Sequence, residues 1–373
     1  MAGIYIHIPY CKKACHYCNF HFSTSLNTKN GFIQALLKEI ELQQHYAGGA
    51  TIRTIYFGGG TPSLLDHREL MEILDRITDA FNVATDAEVT LEANPDDITV
   101  QKANDWINCG FNRLSIGVQS FDDADLTWMN RAHTASQAEH SIQTIREAGF
   151  NNFSIDLIYG TPTLSDQQWQ RNVDKAFDMQ VPHISSYALT VEAATPLAHM
   201  IKKNQSVPVS TTHQANQFEL LMQWMDTAGY EHYEISNFAR PGYRSNHNSA
   251  YWEGIAYLGL GPSAHSFNGK ERQWNVSNNA LYIKAIESGE VPFEKETLTS
   301  TQQFNEYIMT ALRRKEGISI THVRERFNGA SDRMLRSSSK FIEQGLMKNT
   351  DDHLILTNKG KLFADGIAAG MFC

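Results

Sequence analysis

Cysteine is scarce in this 373-residue sequence, and the odd total of five excludes a fully paired disulfide framework. Long apolar runs are missing as well; none reaches the roughly 18 residues that a membrane-spanning helix needs. Basic residues are outnumbered, 32 Lys+Arg against 41 Asp+Glu, and the resulting charge of −9 argues against a general nucleic-acid binder. No basic stretch precedes an apolar core at the start, so no signal peptide is expected, and thiols kept reduced then point to the cytoplasm. Internal repeats and low-complexity tracts are also lacking. What remains is an ordinary globular composition, 42% hydrophobic and 20% charged, in a chain long enough for one large domain and a small one.

Three of the five cysteines fall within eight residues, Cys11-Lys12-Lys13-Ala14-Cys15-His16-Tyr17-Cys18. They follow the alternating run Gly3–Ile8, which reads as a strand that Pro9 ends, so the thiols belong to a loop leaving that strand. Thiolates are soft ligands that select zinc, copper(I) or iron–sulfur clusters. The other two cysteines, Cys109 and Cys373, lie far off in sequence and acquire no role. A four-iron cluster held by three cysteines keeps one iron open to another ligand. Zinc is the alternative, with His16 or His21 completing a Cys3His set.

Beyond this loop, β-branched segments alternate with amphipathic ones. Strands are expected at Gly3–Ile8, Ile52–Phe57, Ala87–Ala93, Arg113–Gln119, Asn152–Tyr159 and His183–Val191, with helical patterns between them and a further helix from Thr212 to Ala228. Six βα units imply a parallel sheet, open or curled into a partial barrel, whose active site gathers at the carboxyl ends of the strands. The unusual residues fall at those ends. Gly58-Gly59-Gly60-Thr61 follows strand two, where bare backbone can approach a ligand. Glu92, Gln119 and Asp156 place polar groups at or near the ends of strands three, four and five, and together they suggest one ligand cavity.

The C-x3-C-x2-C spacing, with Tyr17 before the last Cys, resembles the cluster motif of the radical SAM superfamily, in which S-adenosylmethionine (SAM) chelates the open iron and is cleaved to a 5′-deoxyadenosyl radical. From Tyr5 to about Phe267 the chain resembles the coproporphyrinogen dehydrogenase-like group, in Tyr56-Phe57-Gly58-Gly59-Gly60-Thr61-Pro62-Ser63, Gly117-Val118-Gln119-Ser120-Phe121 and Asp156-Leu157-Ile158-Tyr159-Gly160. The resemblance implies a [4Fe-4S] cluster on Cys11, Cys15 and Cys18. It implies SAM against Gly59, Gly60 and Thr61, with Glu92 nearby, Arg131 on its carboxylate, Asp156 and Gln119 at its ribose, and Tyr5 and Tyr17 walling the site.

Within Ser245-Asn246-His247-Asn248-Ser249-Ala250-Tyr251-Trp252, a histidine stands beside two aromatic residues that could flank a flat ligand, and histidine is a common axial ligand of haem iron. His-Asn-x-x-Tyr-Trp resembles the signature of the HemW branch, regarded as haem chaperones, which implies haem binding through His247, Asn248, Tyr251 and Trp252. Phe20, where the dehydrogenase branch carries a further cysteine, points the same way. The expected partner is a haem-acceptor protein, at a membrane or elsewhere; a homodimer is allowed and no nucleic acid is expected.

The expected fold is α/β, a partial (β/α)6 radical SAM barrel over 1–235, an irregular segment over 236–298 covering the barrel mouth and holding the haem site, and a small winged-helix-like α+β domain over 299–373. The last stretch, with 11 Lys+Arg against 8 Asp+Glu from Thr301 onward, could serve a nucleic acid or simply pack. The rival functions are an enzyme, oxygen-independent coproporphyrinogen III dehydrogenase, and a zinc-stabilised nucleic-acid-binding module.

Overall fold

The computed structural model describes residues 1–327 and 329–373. Six parallel strands run in chain order across its main sheet: β1 (Ala2–Ile8), β2 (Ile52–Gly59), β3 (Val83–Ala93), β4 (Arg113–Gln119), β5 (Phe153–Tyr159) and β6 (His183–Ala188). Between them lie α1 (Lys29–Leu42), α2 (His67–Ala80), α3 (Val100–Asn108), α4 (Asp123–Trp128), α5 (Ala135–Ala148) and α6 (Asp166–Asp178). The helix starts follow from their sequences. Asp66 with Glu69, Thr134 with Gln137, and Ser165 with Gln168 each form a capping box, satisfying two otherwise orphaned N–H groups. Leu70, Ile73, Leu74 and Ile77 give α2 one buried stripe, packed on the outer face of the sheet.

Strand alternation divides the two faces. Ile4, Ile6 and Ile8 of β1 are fully buried against the helices, each worth about 2 kcal/mol of burial. The inner face is polar: Tyr5 and His7, then Tyr56, then Glu88, Thr90 and Glu92, then Arg113 and Ser115, then Asp156, then His183 and Ser185, lying row upon row in the strand register. A polar lumen therefore runs down the inside of the open barrel.

Residues 236–298, expected to be irregular, instead extend the sheet at both edges. After α7 (Pro196–Lys202) and α8 (Thr211–Thr227), β8 (Asn237–Ala239) adds antiparallel to β6, and β7 (Glu231–Glu234) adds antiparallel to β8 at the edge. Next comes the short helix α9 (Asn246–Trp252), then β9 (Tyr257–Leu260), which pairs parallel with β1 as a seventh parallel strand. The strands β10 (His265–Phe267), β11 (Glu271–Asn275) and β12 (Phe293–Thr297) continue antiparallel, with α10 (Asn279–Glu287) inserted before β12. These strands are three to five residues long, too short for a period-2 pattern to stand out among the glycines. The sixth strand likewise ends at Ala188 rather than Val191.

The C-terminal part has a hydrophobic core of its own, built on Phe304, Ile308, Val323, Met334, Leu354 and Ile367. It comprises α11 (Ser300–Arg313), α12 (Ile320–Arg326), α13 (Ala330–Glu343), an antiparallel sheet of β13 (Ile318–Ser319), β14 (Met347–Thr350) and β15 (His353–Leu356), and the short helices α14 (Asn358–Lys361) and α15 (Ala364–Ala369), a winged-helix arrangement. Arg313 of α11 ties it to the barrel through Glu234, at 2.7 and 2.8 Å. No helix among the described residues is long and apolar enough to cross a membrane.

Candidate radical SAM site at the barrel mouth

The cysteine loop is held at its base, where Ser23 N donates to Pro9 O (2.9 Å) and Cys11 N to Ser23 O (3.0 Å). Its far side is fastened by Asn130, whose Nδ2 donates to Ala14 O at 2.7 Å. Asn130 and Gln119 both sit at positive φ, 60° and 67°, a strained conformation that persists where the surroundings demand it. Gln119 takes it at the end of β4, where the β4–β5 register slips. Next to the loop, Gly59 has φ +103°, and a Cβ on Gly60 would lie 2.6 Å from Tyr10 O and 2.8 Å from Ile8 O. Only glycine allows β2 to pass that close to the root of the cysteine loop.

A cavity of about 450 Å³ opens at these carboxyl ends. Cys11, Cys15, Cys18, Tyr17, Gly59, Gly60, Thr61, Glu92, Gln119, Arg131 and Asp156 all line it. Tyr5 stands behind that wall, stacked on Tyr56 with ring centroids 6.2 Å apart. Arg131 is the central cation: Nη1 donates to Cys15 Sγ (3.2 Å) and Nη2 to Asn94 Oδ1 and Gly117 O (both 2.7 Å). Its Nε is buried without a partner, a charged donor that an anionic ligand group would satisfy. Asn94 also donates to Thr61 Oγ1 at 3.2 Å, linking the Gly-rich turn to Arg131. Sequence reasoning passed over Asn94, Ser115, Ser185 and Tyr187, although Asn94 lies two residues from Glu92 and Ser115 alternates with Arg113.

The electrostatics fit a site built for charged ligands. Burial, opposed by the Tyr56 hydroxyl and reinforced by the Asp156 charge, pushes Glu92 up to about 8. Burial pushes Asp156 up to about 6, while a hydrogen bond from Ser185 and the charges of Arg113 and Arg131 pull it back. The Cys11 thiol is pushed up to about 11, chiefly by burial. Such groups ionise readily only beside a compensating charge or metal.

No three His, Cys, Asp or Glu side chains among the described residues are placed to hold one metal ion, the three thiols included. His16 and His21, the candidate fourth ligands, are engaged elsewhere. Nδ1 of His16 lies 2.8 Å from Trp128 O, and Nε2 of His21 lies 2.7 Å from Asn279 Oδ1.

The His-Asn-x-x-Tyr-Trp segment does not cover the mouth. It forms α9, seated at the opposite, amino end of the strands. Glu88 accepts from Asn246 N (3.0 Å) and His247 N (2.9 Å), and His247 Nδ1 lies 2.8 Å from Thr54 Oγ1. His247 is 2% exposed, with Nε2 3.0 Å from the Tyr251 hydroxyl. Trp252 packs under the Arg313 guanidinium, 4.7 Å from the ring centroid. Asn248 alone of these four residues lines the cavity, reached through the lumen.

A partial parallel barrel with three thiols and a Gly-rich turn at its mouth defines a radical SAM protein. The sequence profile of the Radical SAM superfamily matches residues 5–176, and that of the HemN C-terminal domain matches 298–363. The chain is 33% identical over 370 residues to "Heme chaperone HemW" of Mycobacterium tuberculosis, covering 98% of this chain and 93% of that one. It is 32% identical to the Bacillus subtilis HemW (98% of each chain) and 30% identical to the Escherichia coli HemW (98% and 96%). The chain belongs to the HemW family. The solved structure of coproporphyrinogen III oxidase (HemN) from Escherichia coli superposes with a TM-score of 0.86 at 22% identity, covering 100% of this chain and 90% of that one, which shows the shared fold. Superfamily membership implies a [4Fe-4S] cluster and SAM.

Proposed function

We propose that this chain binds haem and hands it to an acceptor protein, working in the cytoplasm with a cluster and SAM at the barrel mouth. The observation that carries the reading is 30–33% identity, over 98% of the chain, to relatives from separate bacterial lineages that are named haem chaperones. Cys11, Cys15 and Cys18 would hold a four-iron cluster, which when bound supplies one-electron chemistry to SAM. The remaining roles belong to the polypeptide. Gly59, Gly60 and Thr61 offer backbone and hydroxyl groups to the methionine part, and Glu92 offers a carboxylate for its ammonium. Arg131 has its unpaired Nε for the carboxylate, and Asp156 with Gln119 can accept from ribose hydroxyls. Tyr17, and Tyr5 behind Tyr56, wall the site.

For haem we keep His247 as the candidate iron ligand, flanked by Asn248, Tyr251 and Trp252. Burial first, then the Arg113 charge, hold its ring neutral, with the pKa lowered to about 3, which suits a metal ligand. Nδ1 is engaged by Thr54 of β2 and Nε2 by Tyr251 of the same helix, so ligation through Nδ1 requires α9 to leave its seat. The test is anaerobic haem titration of the cluster-reconstituted chain, with coproporphyrinogen turnover assayed on the same sample. Stoichiometric haem uptake without turnover is the expected result. Turnover would replace the chaperone reading with the dehydrogenase one, and equal haem binding by His247→Ala and the parent would remove the ligand assignment.

A further inference from the structure

Helix α9 and the SAM pocket are joined by a short, largely buried chain of contacts. The Tyr56 hydroxyl donates to Glu92 Oε1 at 2.8 Å, inside the cavity. The Tyr56 ring stacks on the His247 imidazole, with centroids 4.9 Å apart and planes 20° from parallel. His247 in turn is fixed from two sides, by Thr54 Oγ1 at 2.8 Å and by the Tyr251 hydroxyl at 3.0 Å. Tyr251 is itself packed edge-on against Tyr257 of β9, with centroids 4.5 Å apart. The space around Glu92 is equally tight: a Cβ on Gly58 would lie 2.9 Å from Tyr56, 3.0 Å from Glu92 Oε1 and 3.0 Å from Tyr5. Several neighbours fix Glu92, the Gly59 backbone N–H among them, and His247 backs the Tyr56 hydroxyl that donates to it.

We propose that His247 is a positioning residue for the SAM pocket: docked α9 holds Tyr56, Tyr56 holds Glu92, and Glu92 receives the SAM ammonium. A consequence follows that rests on the haem reading given above. If His247 leaves its seat to ligate haem, Tyr56 loses its stacking partner and SAM binds more weakly; by linkage, SAM then weakens haem capture by the same factor. The helix is thus shared between two ligands that lie at opposite ends of one lumen.

The experiment is equilibrium dialysis of SAM against the full-length, cluster-reconstituted chain without haem, for the parent and for His247→Ala, His247→Gln, Thr54→Val, Tyr56→Phe and the His247→Ala/Tyr56→Phe double variant. His247→Ala should weaken SAM about five- to tenfold, the size of one lost buried hydrogen-bonding contact. Glutamine can keep both hydroxyl partners and lay a planar amide on Tyr56, so it should bind SAM within about twofold of the parent. The double variant should be no weaker than Tyr56→Phe alone, because both changes act through Glu92. If His247→Ala does not fold, Thr54→Val, which releases His247 from one side only, should still weaken SAM about two- to threefold. The proposal is overturned if folded His247→Ala or Thr54→Val melts lower but binds SAM like the parent, or if the double-variant effects are additive. Haem is then added to the parent: a chain that takes no haem ends the chaperone reading while leaving these SAM measurements to stand, and a chain that takes haem with unchanged SAM affinity overturns the coupling.

Discussion

Glu39 offers a test of how the seventh parallel strand is held. Its carboxylate is fully buried on α1 and meets only donors: Oε2 accepts from Gly261 N (2.7 Å) and the Tyr282 hydroxyl (2.6 Å), and Oε1 accepts from Asn275 Nδ2 (2.6 Å). Asn275 Nδ2 also donates to Gly261 O at 2.9 Å, so its amide cannot flip without breaking that bond. In Glu39→Gln the new NH2 group must face either Asn275 Nδ2 or Gly261 N. One buried donor is orphaned, and two charge-assisted bonds become neutral ones. Together these cost about 2–4 kcal/mol. With an unfolding entropy of roughly 2.1 cal/mol/K per residue over a barrel of about 300 residues, the melting temperature should fall by about 3–6 °C. Glu39→Ala orphans three donors and should fall further. Thermal unfolding read by circular dichroism, with amide exchange at Gly261, measures both. A glutamine variant that melts with the parent, or an alanine variant less damaged than the glutamine one, would refute the argument.

Other expectations can be checked on the same protein. Cys11→Ala, Cys15→Ala and Cys18→Ala should each lose most iron and acid-labile sulfide after reconstitution, whereas Cys109→Ala, whose thiol contacts His67 at 3.1 Å, should retain both; iron in the first three at parental levels would remove the cluster assignment. Gly60→Ala drives a Cβ into two backbone carbonyls and should cost roughly 1–3 kcal/mol while lowering cluster loading, so parental loading and melting would contradict the close approach. His232 and His247 are held neutral, with pKa lowered to about 3 by burial first, then by the charges of Lys361 and Arg113 respectively. Below about pH 6.5 the unfolded chain takes up protons that the fold refuses, so stability should fall as pH drops from about 6.5 toward 3, on the order of 1 kcal/mol per unit for each histidine. Denaturant midpoints that stay level between pH 7 and 5 would show that these rings are not buried neutral.

The mouth of the barrel was legible because its chemistry is local. Three thiols in eight residues, a glycine run after a strand and carboxylates inside apolar strands are each visible without a third dimension, and strand polarity places them together. Arg131 was reached only through resemblance, since nothing in Met129-Asn130-Arg131 shows that the chain turns back at positive φ to bring the guanidinium against Cys15. Asn94 was passed over for a related reason: its two partners, Thr61 and Arg131, are 33 and 37 residues away.

The placement of α9 shows where sequence reasoning fails and why. A histidine among aromatic residues and glycines reads as a surface element, because nothing within the segment declares a partner. Its partners are Thr54, Tyr56 and Glu88, inward-facing residues of β2 and β3 that the same reading treated as ordinary strand positions. The inner face of a curled sheet is the part of a fold that periodicity describes least well. A polar residue in an apolar strand marks the lumen, but not which later segment will fill it. Here the lumen carries Glu92 at one end and His247 at the other, with Tyr56 touching both. Two groups far apart along the chain, the carboxylate at the mouth and the histidine of α9, are thus separated by one side chain in the folded molecule.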